Sequence, residues 1–280
     1  MNEMRTQLSR RMTGILLLFC LGAMPAGARP QSDLQFPDSK ASLNGILARA
    51  RESVESFWSQ FRSVTCIEKV SQEKLGDKGK TEYAQKSTFD YLILLNVEGN
   101  NLSVEESRVQ LGKTAKAKKI PLLLTSGIPT LLLVFHPFYQ ESFQYQFEGE
   151  ELLEGHRLIR VGFTHIPGRR STTALRLRDR NFPLEIQGKA WLYPETGTIY
   201  RISAGLIAPM SEHNLKSLTL EVLYGPQKFP PPGESYWLPL TATININTER
   251  QHWRNVHQYS NYKRFTVNTE DKIEKAGTSP

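Results

Sequence analysis

Cysteine is almost missing from this chain. There are two in 280 residues, and Cys20 lies in an N-terminal apolar run, which leaves Cys66 alone in the body of the sequence. A lone thiol forms no intramolecular disulfide, and no CxxC pair exists to build a cysteine zinc site. Cys66 falls in an alternating pattern and reads as a small buried residue rather than a reactive one. Aspartate is scarce as well. Asp33, Asp38, Asp77, Asp90, Asp179 and Asp271 fall mostly in expected loops and tails, and Glu148-Gly149-Glu150-Glu151 reads as a solvated turn. The six histidines include no HExxH, and His252 and His257, five apart on an expected strand, point to opposite faces, which suits a surface or turn role. No nucleophile elbow, P-loop or dinucleotide fingerprint is present. The pattern therefore nominates no catalytic residue, no metal ligand and no cofactor. Internal repeats and low-complexity linkers are also missing, so one domain is the simplest organisation.

The two ends carry signals of a different kind. Arg5, Arg10 and Arg11 form a positive region, Ile15 to Leu21 a short apolar run, and Ala26 and Ala28 the small residues of a cleavage site. This is the pattern of a secretory signal peptide over residues 1–28, cleaved after Ala28, and the run is too short to span a bilayer. A lipoprotein signal at Cys20 is the rival, opposed by the bulky Phe19 before it and by its depth in the run. Cleavage leaves 252 residues and lowers the net charge from +7 to +5, because the removed piece holds three arginines and Glu3. The expected location is periplasmic or secreted. Export argues against nucleic acid as a partner, and the mild positive charge suits a protein that is at most peripheral to a membrane. Residues 29–40 read as a flexible leader, 269–280 as a flexible tail, and 41–268 as the folded domain.

Within that domain Leu43, Ile46, Leu47, Ala50, Val54, Phe57 and Phe61 recur at helical spacing, which predicts one long amphipathic helix needing a large apolar surface to lie on. Extended runs follow: Ser63–Leu75, Glu82–Leu95, Leu102–Leu111, then Phe143 to Glu148 with strict alternation, then Ile159 to Phe163. Pro194-Glu195-Thr196-Gly197 joins Ala190–Tyr193 to Thr198–Ala204 in a hairpin with Gly197 at a left-handed position. Further strands are expected around Leu218–Tyr224, Leu240–Asn247 and Arg254–Val267. The fold class is α+β, mainly β: a curled antiparallel half-barrel of about ten or eleven strands in a meander, with one apolar and one polar face.

One stretch breaks the β pattern. KKIPLLLTSGIPTLLLVFHPFY, Lys118–Tyr139, is highly apolar, but Pro121, Pro129 and Pro137 recur every eight residues and divide it into short helical pieces far below a membrane span. Over about 120–138 it is either a permanent plug of the curled sheet or a lid over an apolar cavity. Lys113 to Lys119 flank it, and Arg169, Arg170, Arg176, Arg178 and Arg180 cluster after a Pro-Gly turn. These cations would face anionic headgroups or simply solvent.

The signal peptide, the single long helix, the meander and the Pro-Leu-Leu insertion together resemble the LolA/LolB-like lipoprotein-carrier fold of outer-membrane lipoprotein-sorting proteins. IPLLLTSG (Ile120–Gly127) is similar to that family's lid, and GKAWLYPETGTIYRI (Gly188–Ile202) to its tryptophan-bearing hairpin. SYWLP (Ser235–Pro239) and YSNYKRF (Tyr259–Phe265) are similar to segments near its end. The resemblance implies a monomeric, non-catalytic envelope protein that holds a lipid or lipoprotein acyl chain under a helical lid. An envelope sensor or assembly factor binding a protein partner is the alternative. The lid candidates are Leu122, Leu123, Leu124, Ile128, Leu131, Leu132, Leu133 and Phe135. Phe143, Tyr145, Phe147, Trp191 and Trp237 are the candidate cavity walls.

Overall fold

In a computed structural model the described residues are 39–61, 64–98, 101–112, 127–177, 180–229 and 235–264. The signal peptide, most of the leader and the tail lie outside them. The long helix, α1, runs Ser39–Phe61, slightly longer than its apolar spacing predicts. Ile46, Ala50, Val54, Phe57, Trp58 and Phe61 are buried along one stripe.

Twelve strands follow among the described residues. β1 (Val64–Leu75), β2 (Thr81–Glu98) and β3 (Asn101–Gln110) come first, then β4 (Phe143–Leu153) and β5 (His156–His165). A separate two-stranded pair, β6 (Ala174–Leu177) and β7 (Arg180–Pro183), interrupts the succession. β8 (Ile186–Leu192), β9 (Ile199–Leu206), β10 (Leu215–Lys228), β11 (Ser235–Thr248) and β12 (His252–Arg264) complete it. Ten strands form one antiparallel sheet in the order β3-β2-β1-β12-β11-β10-β9-β8-β5-β4, open at both edges. The half-barrel expectation holds, with two departures from a plain meander. β1 pairs with β12, the last strand, and β5 of the β4–β5 hairpin docks on β8. The Glu148–Glu151 run lies inside β4 rather than in a turn, with a register shift between Phe147 and Gly149 where Gly149 has φ +105°.

Strand register lets one follow a single row across the inner face. Ser87, Val70, His257, Ala242, Val222, Ile202, Ala190, Val161 and Phe147 are successive cross-strand partners from β2 to β4. The neighbouring row reads Gln85, Gln72, Asn255, Ile244, Leu220, Ala204, Gly188, Phe163 and Tyr145. Both rows begin polar and end apolar, so the inner face is not uniformly apolar as expected. α1 packs on β11 and β4, and a 3-10 segment, Ile128–Phe135, packs between α1 and strands β9, β10 and β11.

Two glycines make this packing sterically possible. A Cβ on Gly188 would lie 2.0 Å from the Ser203 carbonyl and 2.8 Å from the Phe163 ring, so its absence lets that ring lie over β8. Gly197, at φ +67°, brings the β8–β9 turn against α1, where a Cβ would sit 2.4 Å from Ala50 N.

Candidate functional site

The apolar end of the inner face is built around the 3-10 segment. Gly127, left-handed at φ +77°, starts it, Pro129 occupies its first turn, and Thr130 kinks it. Runs of 3-10 helix beyond three or four residues are uncommon because their hydrogen bonds are poorer. Side chains make up the difference here. The Thr130 hydroxyl donates to Gly127 O at 2.8 Å, Tyr224 OH donates to Pro129 O at 3.0 Å, and Tyr145 OH donates to Val134 O. Ile128 and Leu131 to Phe135 are all at most 4% exposed. Consecutive apolar residues point all round a helix, and here apolar surface lies all round: α1 on one side, the sheet on the other. A short helix α2, Pro137–Gln140, follows, capped by the His136 side chain, whose Nδ1 accepts from Phe138 N at 3.2 Å. Burial lowers the basicity of that imidazole.

Of the nominated residues, Leu122, Leu123 and Leu124 lie outside the described residues. Ile128, Leu131, Leu132, Leu133 and Phe135 are inside the molecule. Tyr145 and Phe163 lie against Phe135, and Phe143 against both of them, with ring centroids 5.4 to 6.4 Å apart, a spacing that favours edge and offset contacts. Phe147 closes the row at the sheet edge and is half-buried. Trp191 requires a correction. Its neighbours Ala190 and Leu192 are both fully buried, so alternation places Trp191 on the outer face. There its indole donates to Glu151 at 2.9 Å, beneath the Arg201 guanidinium. Trp237 borders a cleft of about 190 Å³ between α1 and the β8–β9 hairpin, lined also by Ser53, Phe57, Gln60 and Thr198 and reaching Leu132. Its indole donates to Ile199 O at 2.8 Å.

The polar end holds a cluster that was not nominated. Arg108 on β3 reaches over the Tyr91 ring, 4.7 Å from its centroid, to the Glu68 carboxylate on β1 with Nε–Oε2 2.6 Å and Nη2–Oε1 3.1 Å. Its Nη1 meets Glu106. Glu106 Oε1 also accepts from Tyr91 OH at 2.9 Å and from Gly127 N at 2.6 Å, which ties the start of the 3-10 segment to β3. His257 on β12 places Nδ1 2.8 Å from Glu68 Oε1. Glu68 is 0% and His257 1% exposed, so His257 is not the surface residue that its spacing from His252 suggested. β12 presents Trp253, Asn255, His257 and Tyr259 on one face, and that face is the inner one. Burial alone would raise the Glu68 carboxyl, but hydrogen bonds from His257 and Arg108, with the Arg108 charge, hold it below the usual range. Burial, with the nearby Glu68 charge, pushes the Cys66 thiol up to about 12 and the Tyr259 phenol well above its ordinary value, so both stay protonated. Among the described residues no group of three or more His, Cys, Asp or Glu side chains is placed to hold a metal ion, and no helix is long and apolar enough to cross a membrane.

The molecule is therefore an open half-barrel with a helix and a short apolar segment against its inner face. Solved structures with a similar course include a LolA superfamily protein from Nitrosomonas europaea, at 12% identity, covering 80% of this chain and 94% of that one with a TM-score of 0.37. A putative outer membrane lipoprotein-sorting protein domain from Vibrio parahaemolyticus is 11% identical over 81% of this chain and 97% of its own, with a TM-score of 0.39. A DUF1329 family protein from Desulfovibrio piger is 11% identical over 81% and 92%, with a TM-score of 0.42. No protein-family model and no curated protein sequence matches the chain.

The polar cluster had a signal in the sequence. In β1 the residues Val64, Cys66, Glu68, Val70 and Gln72 share one parity, and Glu68 and Gln72 therefore sit among buried residues. Asn255 and His257 likewise share the parity of Trp253 and Tyr259. Polar residues at the buried parity of a strand mark a polar cluster in the interior, since burying such groups costs free energy. The basic residues give less. Arg169 and Arg170 are exposed, with Arg170 4.5 Å over the Phe138 ring, and the Lys113–Lys119 group lies outside the described residues.

Proposed function

We propose that this protein is a non-catalytic carrier of the cell envelope that holds an acyl chain of a lipid or lipoprotein inside the half-barrel. The observation that supports it is the wholly buried Ile128–Phe135 segment, apolar but for Thr130. It belongs to neither the sheet nor a long helix, and the side-chain hydrogen bonds that tie it to the sheet come from Tyr145, Tyr224 and, at the preceding Gly127, Glu106. It occupies the inner face as an apolar ligand would. Displacing it uncovers the apolar inner face of β9, β10 and β11 and the Phe163 ring, which an alkyl chain can cover instead. Each buried methylene contributes about 0.8 kcal/mol, so a long chain offsets the cost of moving the segment. The cleft beside Trp237, which reaches Leu132, is the entry this proposal assigns. Exported location rests on the N-terminal signal pattern.

The test is organic extraction and mass spectrometry of the purified chain, with titration by a fluorescent fatty acid. Co-purified lipid, or saturable probe binding that quenches tryptophan emission, is the expected result. A lipid-free protein that binds no probe overturns the carrier function.

A further inference from the structure

The polar end of the inner face contains side chains that the fold itself leaves unbonded. Gln72, His257 and Tyr259 are 1%, 1% and 5% exposed, and the Gln72 amide, His257 Nε2 and Tyr259 OH have no hydrogen-bond partner. They stand together: Gln72 and His257 flank Val70 along and across the strands, and Tyr259 lies opposite Glu68. Leaving a buried polar atom unpaired costs its full desolvation, which is much to retain at adjacent positions without use. The charged groups beside them are in the opposite condition. Glu68 is held by Arg108 and lies 2.8 Å from His257 Nδ1, and Arg108 pairs with Glu106 as well.

We propose that this end binds the uncharged, hydroxyl-bearing head of an amphiphile, such as a glycerol or sugar group, while its alkyl chain follows the rows toward Phe163. The inference rests on the carrier function and adds the chemistry of the cargo. His257 Nδ1 faces the Glu68 carboxylate, which leaves Nε2 as the ring position open to a hydrogen bond. The Tyr259 phenol donates, and the Gln72 amide does both. Hydroxyl groups, each at once donor and acceptor, complement that set. A carboxylate head would add a third anion beside Glu68 and Glu106, which share the one guanidinium of Arg108, and a quaternary ammonium offers the unpaired atoms no hydrogen-bond partner.

The experiment uses the full mature chain and four ligands sharing a dodecyl chain: monolauroylglycerol, dodecyl glucoside, laurate and dodecyltrimethylammonium, each below its micelle concentration, by calorimetry. One or both neutral ligands should bind about tenfold or more tighter than the charged pair, a difference of about 1.4 kcal/mol; which of the two prevails separates a glycerol from a sugar head. Tyr259→Phe and Gln72→Leu should erase that preference without lowering the thermal midpoint of the ligand-free protein, since each removes an unpaired atom. Equal binding of all four, an unchanged preference in both variants, or a lowered midpoint overturns the head site and leaves the carrier function standing. Binding of none overturns both.

Discussion

Two ends of one sheet face are buried to the same degree by different means. Val222, Ile202, Ala190 and Val161 are sealed from water without a polar side-chain atom among them, whereas Glu68, Gln72 and His257, two or more strands away, are sealed just as fully. At the apolar end burial is itself the stabilising term. At the polar end burial costs free energy, and the cluster persists because Arg108 pairs with both Glu68 and Glu106 and His257 hydrogen-bonds Glu68. A buried ion pair is weak grounds for stability but good grounds for a specific role. The apolar end holds the fold together, and the polar end gives it something to recognise.

The largest test of that contrast is Phe135→Ala. Phe135 is fully buried between Tyr145 and Phe163, so its loss should cost about 4 kcal/mol, read as a lower urea midpoint. A loss under about 1 kcal/mol would mean the segment is loosely packed and the two ends are alike. Next comes Arg108→Ala, expected to cost about 3 kcal/mol because it strands Glu68 and Glu106. Replacing Glu68, Arg108 and His257 together with Leu, Met and Phe should restore much of that, which Phe135→Ala has no partner change to do. The smallest effect is acid sensitivity. Folding holds the Glu68 carboxyl below its ordinary 4.5, so the stability it contributes is present above that pH and lost as pH falls toward its folded value. The urea midpoint should fall on acidification, and Glu68→Gln should flatten that fall. An identical slope in the variant would remove Glu68 from the acid response.

Local signals carried the apolar end. The spacing from Ile46 to Phe61 predicts α1, the Pro194–Gly197 turn predicts the β8–β9 hairpin, and prolines predict that the Leu-rich stretch is broken. The polar end depends on contacts far apart in the chain, such as Glu68 with His257, 189 positions away. Parity within β1 and β12 marked its residues individually, but only the β1–β12 pairing makes them neighbours. Trp191 was misplaced for a related reason: an aromatic in a strand says nothing of its face until the buried parity of its neighbours is known.

That same β1–β12 seam sets a timetable. A chain that is made, or threaded across a membrane, from its N-terminus presents β1 early, with β2 and β3 ready to pair on one side. The partner for its other side is the final strand, and until it arrives β1 keeps a row of unpaired backbone groups exposed. Contacts of such long separation fold slowly because the intervening loop must close first. The half-barrel therefore stays unzipped along its middle until the last strand emerges, and only then are Glu68 and His257 brought together.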